Sequence, residues 1–214
     1  MHKLKVMLVD DHAVVRVGFK LLLEASDDIE VVAEADSGEA ACQMCEAAAP
    51  DVVVMDIAMA GMGGIEAIKR LTAKDSRVRI LALSAHEDIS HPIRAIQAGA
   101  MGYLSKRSAP EVLIDAIRTV AKGQRYVDAK IAQRIALQAI GGDKGPVEKL
   151  SAREFEVFVQ LARGQSVAQI SDTLNLSNST VGTHLYNIKQ KLGLSNQAEM
   201  TLLALRHGLI HLAE

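Results

Sequence analysis

Asp10 and Asp11 follow the apolar run Leu4-Lys5-Val6-Met7-Leu8-Val9, and Asp56 closes Val52-Val53-Val54-Met55. Ser84 closes Ile80-Leu81-Ala82-Leu83, and Lys106 comes just after Gly102-Tyr103-Leu104. Carboxylates, a hydroxyl and an ammonium therefore stand where short buried strands should stop. The set suits one divalent cation and one phosphoryl group. A carboxylate can accept a phosphoryl group as a mixed anhydride, but an anion must then attack an anionic group. Mg2+ held by neighbouring carboxylates removes much of that repulsion. In this reading Asp56 is the nucleophile. Asp11 and Asp56 are direct metal ligands, Asp10 acts partly through water, and the backbone carbonyl of Ala58 completes the protein share. Lys106 neutralises a phosphoryl oxygen as a point charge, and the Ser84 hydroxyl donates to another.

For any one of these residues, solvation at a strand end is explanation enough, because chain connections are commonly polar. The elements that carry them change the balance. From Lys3 to about Lys122, β-rich runs near 4–9, 29–33, 52–56, 79–83 and 102–104 alternate with helical patterns near 14–24, 37–48, 64–73, 88–98 and 109–122. That alternation predicts βα units and a parallel sheet. In an open parallel sheet the strand ends share one ligand-binding edge, so the polar residues converge from distant parts of the chain. Ser37, Gly64 after Gly61-Met62-Gly63, and Ser108 before Ala109-Pro110 supply helix starts, and Ala98-Gly99-Ala100 a stop.

Residues 128–140 read as one more helix, and Gly141-Gly142-Asp143-Lys144-Gly145-Pro146 as a linker. Beyond Leu150 no strand pattern remains. Helices are expected at about 152–163, 167–174, 178–192 and 196–207, with Ser151 and Glu154 as a capping box and Gly164 and Gly193 as terminators. On the third of these, Val181, Leu185, Ile188 and Leu192 form a narrow apolar stripe at ~100° per residue. Ser179, Thr183, Tyr186, Asn187 and Gln190 lie opposite it, flanked by Lys189 and Lys191. A helix buried on one side and hydrogen-bonding on the other can enter a major groove, its polar face on base edges and its lysines on phosphates. It is also what an ordinary surface helix looks like.

Bulk properties narrow the class. With 214 residues, 49% hydrophobic, and 24 basic against 26 acidic side chains, one or two folded domains are expected and disorder is not. No apolar run nears the ~18–20 residues of a membrane span, so a cytoplasmic protein without membrane contact is expected. Cys42 and Cys45 form a C-x-x-C inside an Ala-rich helical stretch, with no second pair or nearby His, and receive no role. His184, His207 and His211 lack ligand spacing and are read as packing or surface residues.

Val9-Asp10-Asp11-His12, Val54-Met55-Asp56-Ile57-Ala58-Met59, Leu83-Ser84-Ala85 and Gly102-Tyr103-Leu104-Ser105-Lys106 resemble the receiver domain of response regulators. Residues 167–181, with Thr180-Val181 and Lys191-Leu192-Gly193, resemble the LuxR-type helix-turn-helix. The whole chain thus resembles a NarL/FixJ-type regulator. Gly123-Gln124-Arg125-Tyr126 and residues 202–209 are similar to its GacA/UvrY branch.

The resemblance implies a flavodoxin-like, doubly wound (βα)5 α/β receiver over 1–124, a linker helix and flexible linker over 125–147, and an all-α four-helix DNA-binding domain over 148–214. It implies that a sensor histidine kinase donates from a phosphohistidine to Asp56, that Ser84 and Tyr103 form the switch, and that promoter DNA is bound by Ser179, Thr180, Thr183, Tyr186, Asn187, Lys189, Gln190 and Lys191. A homodimer is expected when phosphorylated, with the last helix as its contact. The protein would be a phosphoacceptor that assists its own phosphorylation and dephosphorylation rather than an enzyme.

The chain departs from the pattern in places. Ala60 stands where the family usually has proline, and Arg107 where a proline often follows the lysine. Gly182 and Tyr186 replace lysines found in some members. From Leu150 onward, Arg153, Arg163, Lys189, Lys191 and Arg206 are matched by Glu154, Glu156, Asp172, Glu199 and Glu214. Nucleic-acid binders usually carry a basic excess, so weak monomer binding compensated by paired half-sites is expected. A phosphorylation-controlled protein-interaction module, or a metal-dependent phosphatase, stays open at this point.

Overall fold

A computed structural model of the chain describes residues 3–85, 90–129, 131–133, 135, 146–207 and 209–210. The 141–145 part of the expected linker and His211 lie outside them. The chain divides into two compact units, the first running mainly to Arg134 and the second from Ile135 onward.

In the first unit β1 (Leu4–Val9), β2 (Ile29–Ala35), β3 (Val52–Asp56), β4 (Ile80–Ser84), β5 (Gly102–Ser105) and β6 (Tyr126–Val127) alternate with helices α1 (Ala13–Glu24), α2 (Gly38–Ala48), α3 (Gly64–Lys74), α4 (Ser90–Gln97) and α5 (Pro110–Ala121). The strands pair in parallel in the order β2-β1-β3-β4-β5-β6. This is the doubly wound flavodoxin-like sheet that the alternation predicts, with one addition. β6 is too short to show a pattern in sequence and pairs Tyr126 with Gly102 and Val127 with Tyr103.

Alternation along each strand fills both faces. Val6, Leu8, Val52, Val54, Leu81 and Leu83 pack with Leu23 of α1 and with Leu113, Ile117 and Val120 of α5. Their neighbours Met7, Val53, Met55, Ile80 and Ala82 are fully buried too, as expected where helices cover both sides of a parallel sheet. The chain winds outward from β1 in one direction and from β3 in the other, which opens a crevice at the carboxyl ends of these adjacent strands.

Helix starts follow the expected chemistry with one exception. The Ser37 hydroxyl accepts from the Ala40 amide. Ser108, expected to begin α5, does not cap it; Ala109 holds that place with Pro110 just inside, and no side chain caps the end. Alanine has no side-chain acceptor to offer, and Pro110 at the first helical position presets φ and leaves one fewer unpaired amide at this end.

The second unit holds a short 3-10 turn (Pro146–Lys149) and helices α6 (Ala152–Ala162), α7 (Val167–Leu174), α8 (Asn178–Leu192) and α9 (Gln197–Arg206). Ser151 and Glu154 form the expected capping box, and Ser166 with Gln169 forms another on α7. Gly193 ends α8 at φ 66, a left-handed conformation that costs glycine little. Phe155, Phe158, Ile170, Val181, Ile188, Met200 and Ala204 make this unit's own core.

Candidate functional site

The crevice between β1 and β3 is where the polar strand ends meet. Val9 pairs with Met55, so Asp10 leaves β1 beside Asp56 at the end of β3. Asp56 pairs with Leu83 and Ser84 with Ser105, which brings the end of β5 to the same edge. Lys106 follows, and its Nζ donates to Asp10 Oδ2 at 2.6 Å and to Asp56 Oδ2 at 2.7 Å. One cation thus bridges two carboxylates separated from it by 96 and 50 positions. Asp10 and Asp56 are almost entirely buried, and the Lys106 side chain is only 14% exposed.

Burial pushes the Asp56 carboxyl above its ordinary value, even though Lys106 and the Ala58 amide favour its charged form. Burial opposes the charge of Lys106 as well, but attraction to Asp56 and Asp10 outweighs it, so the ammonium is held more firmly than in water. The two carboxylates share one counter-charge, and the net balance leaves room for more positive charge.

The loop after β3 is folded against the site. Ala58 N–H donates to Asp56 Oδ1 at 3.0 Å, so Ala58 meets the nucleophile candidate through its amide. Ala60 N–H donates to Asp11 Oδ2 at 3.1 Å, a bond that a proline in that place could not make. Met62 N–H donates to Glu39 Oε1 at 2.8 Å. Two amide–carboxylate bonds thus tie down a loop that lacks the family's usual proline. Gly64 allows the loop to turn back on its own strand, because a Cβ there would lie 2.0 Å from the Asp56 carbonyl oxygen.

Asp11 is left with one oxygen over. Its Oδ1 is buried and accepts no hydrogen bond among the described residues, although His12 Nδ1 stands 2.7 Å away. Ligand atoms of Asp10, Asp11, His12 and Asp56 all lie within 4.8 Å of one another. Hard divalent cations take such oxygen-rich sets, and an unsatisfied buried carboxylate oxygen is a donor that such an ion would use. The residues present fit a cation.

Ser84 and Tyr103 are both buried, at 0% and 1% exposure. Ser84 closes β4, and its carbonyl accepts from the Lys106 amide at 2.8 Å. Tyr103 lies mid-strand on β5, opposite Ala82.

In the second unit α7 and α8 form a helix-turn-helix through Asn175, at φ 52, and the Ser177 cap. Val181 and Ile188 are fully buried, with Leu185 and Leu192 packed beside them, as the apolar stripe predicts. Ser179, Thr180, Thr183, Tyr186 and Gln190 are exposed, while Asn187 and Lys189 are half-exposed. Some of these groups are already engaged. The Thr183 hydroxyl donates to the Ser179 carbonyl at 3.0 Å, Thr180 shares a hydrogen bond with Ser177 at 2.8 Å, and Lys191 Nζ pairs with Glu154 Oε2. That last pair, 37 positions apart, has no periodic signal in sequence. His184 is half-buried on α8, and burial holds its pKa low. Among the described residues no helix is long and apolar enough to cross a membrane.

Comparison with known proteins finds a family for each of the two regions. The family model of the response regulator receiver domain matches residues 6–118, and that of the LuxR family of bacterial regulatory proteins matches 148–204. The response regulator UvrY of Escherichia coli O6:H1 is 44% identical over 208 residues, 96% of this chain and 95% of the relative. The response regulator GacA of Pseudomonas syringae pv. syringae is 39% identical over 209 residues, 97% and 98% of the two chains. The crystal structure of ChrA, the response regulator of a heme-sensing two-component system, aligns with a TM-score of 0.55 at 35% identity over 98% of this chain and all of that one. A receiver sheet with its acidic crevice, a LuxR-type helix-turn-helix and full-length relatives of this kind place the chain among the response regulators that control transcription, in the group that includes UvrY and GacA.

Proposed function

We propose that Asp56 is the phosphoacceptor and that its phosphorylation controls promoter binding by the helix-turn-helix. The observation that carries this is the bridge of Lys106 between Asp10 and Asp56 beside the unsatisfied Asp11 oxygen. Asp56 is the carboxylate on which both the Lys106 ammonium and the Ala58 amide converge. An Asp56 oxygen attacks the phosphorus of a sensor histidine kinase's phosphohistidine. The new P–O bond forms as the P–N bond breaks, and the imidazole leaves with the electron pair and takes up a proton. Lys106 holds charge on the transferred oxygens, and the Ser84 hydroxyl donates to one of them. Asp10, Asp11 and Asp56, with the Ala58 carbonyl, are the groups assigned to Mg2+, the cofactor whose positive charge when bound relieves repulsion between acceptor and phosphoryl group.

Ser84 and Tyr103 act as the switch that reports the new charge, a bias between two states of the receiver. We assign residues 1–124 together with β6, which pairs with β5, to the receiver, the stretch from there to 147 to the linker, and 148–214 to the DNA-binding domain. Promoter contacts fall to the exposed side of α8: Ser179, Thr180, Thr183, Tyr186, Asn187, Lys189 and Gln190. Lys191 must exchange Glu154 for a phosphate before it can join them. Phosphorylated copies pair as a homodimer on two half-sites, in the cytoplasm.

Incubation with 32P-acetyl phosphate and Mg2+ tests the assignment. The unaltered chain should take up label and Asp56→Asn should take up none; equal labelling of both would refute it.

A further inference from the structure

His12 is the one member of the pocket's ligand-bearing cluster that the proposed phosphoryl chemistry does not use. It is held in place from two directions. Its backbone N–H donates to Asp10 Oδ1 at 2.9 Å, and its Nδ1 stands 2.7 Å from Asp11 Oδ1 and 3.4 Å from Asp10 Oδ1. The Ala60 amide occupies the other Asp11 oxygen, so Oδ1 is the one left facing the imidazole. The ring is 66% exposed, so its contacts with the two carboxylates, rather than packing, set its place.

We propose that His12 Nδ1 is a fourth side-chain ligand of this pocket, which enables it to hold borderline divalent transition metals such as Ni2+ and Zn2+ as well as Mg2+. The inference rests on the assignment of a cation to the acidic crevice. Carboxylate oxygens alone suit Mg2+ and Mn2+, whereas an imidazole nitrogen adds affinity for metals later in the first row. Mg2+ gains little from nitrogen and keeps its waters. One residue thereby changes which cation the site prefers. A transition metal seated through His12 displaces Mg2+, so metal availability becomes a second input to the receiver.

Displacement of Mn2+ confines the test to this site. Mn2+ is added to metal-stripped, untagged full-length protein, and its free EPR signal is followed while Mg2+ or Ni2+ is titrated in. Unaltered chain and His12→Gln are compared, the exposed side chain making this substitution compatible with folding. In His12→Gln the ratio of Ni2+ to Mg2+ affinity should fall on the order of tenfold or more, as loss of a metal-site partner commonly does. An unchanged ratio overturns the role of His12 and leaves the Mg2+ site standing. Failure of Mg2+ to displace Mn2+ from the unaltered chain overturns the cation site and this inference together.

Discussion

Asp56 is buried at a cost that its neighbours only partly offset. Desolvation raises its pKa above 3.8, against the pull of Lys106 and the Ala58 amide. A carboxyl whose folded pKa lies above its unfolded value binds its proton more readily when folded. Its contribution to stability therefore falls as pH rises from the unfolded value through the folded one, and stays unfavourable beyond. Asp56→Asn removes that burden. In chelator and near neutral pH the variant should melt at a higher temperature than its parent, and the difference should shrink as pH approaches and passes below 3.8. A difference independent of pH would contradict the sign. The same unfavourable charge makes the crevice receptive to added positive charge, which links stability at this residue to its proposed chemistry.

Among the elements, two glycines test the packing in opposite directions. Gly64→Ala would drive a Cβ to 2.0 Å from the Asp56 carbonyl and 2.6 Å from Ile57 Cα. The backbone must shift, and urea unfolding should show a loss of about 3 kcal/mol. Gly182→Ala, in the middle of α8 with nothing within 4 Å of the new Cβ, should instead raise the stability of the second unit by about 1 kcal/mol. A neutral Gly64→Ala or a destabilising Gly182→Ala would show that the element is packed otherwise.

Most elements were legible in the sequence because burial imposes a period. Apolar runs ending in Asp10, Asp56 and Ser84 mark the strands of a sheet covered on both faces, and Val181, Leu185, Ile188 and Leu192 mark the inner side of α8. What escaped has no period. β6 consists of two residues that gain meaning only beside β5. The Ala60 amide reaches Asp11 only once the loop has turned at Gly64, and the Lys191–Glu154 pair depends on how α6 meets α8. His12 was in view as the neighbour of Asp11, but only the fold shows its ring turned toward that carboxylate.

At the scale of the whole chain, each unit has a core of its own, and the proposed coupling between them rests on the charge that phosphorylation would add at Asp56. The exposed side of α8 carries few cations, and Lys191 is engaged by Glu154. Affinity of a single copy for DNA should therefore be low and should depend on pairing, since phosphate contacts supply most of the sequence-independent binding. Promoter footprinting of the unaltered chain and Asp56→Asn, each with and without Mg2+ and acetyl phosphate, is the most direct test. The account predicts that the phosphoryl donor strengthens protection by the unaltered chain about tenfold or more, within the ordinary range of coupling between sites, and leaves Asp56→Asn where it began. Equal strengthening of both proteins, or of neither, would contradict it.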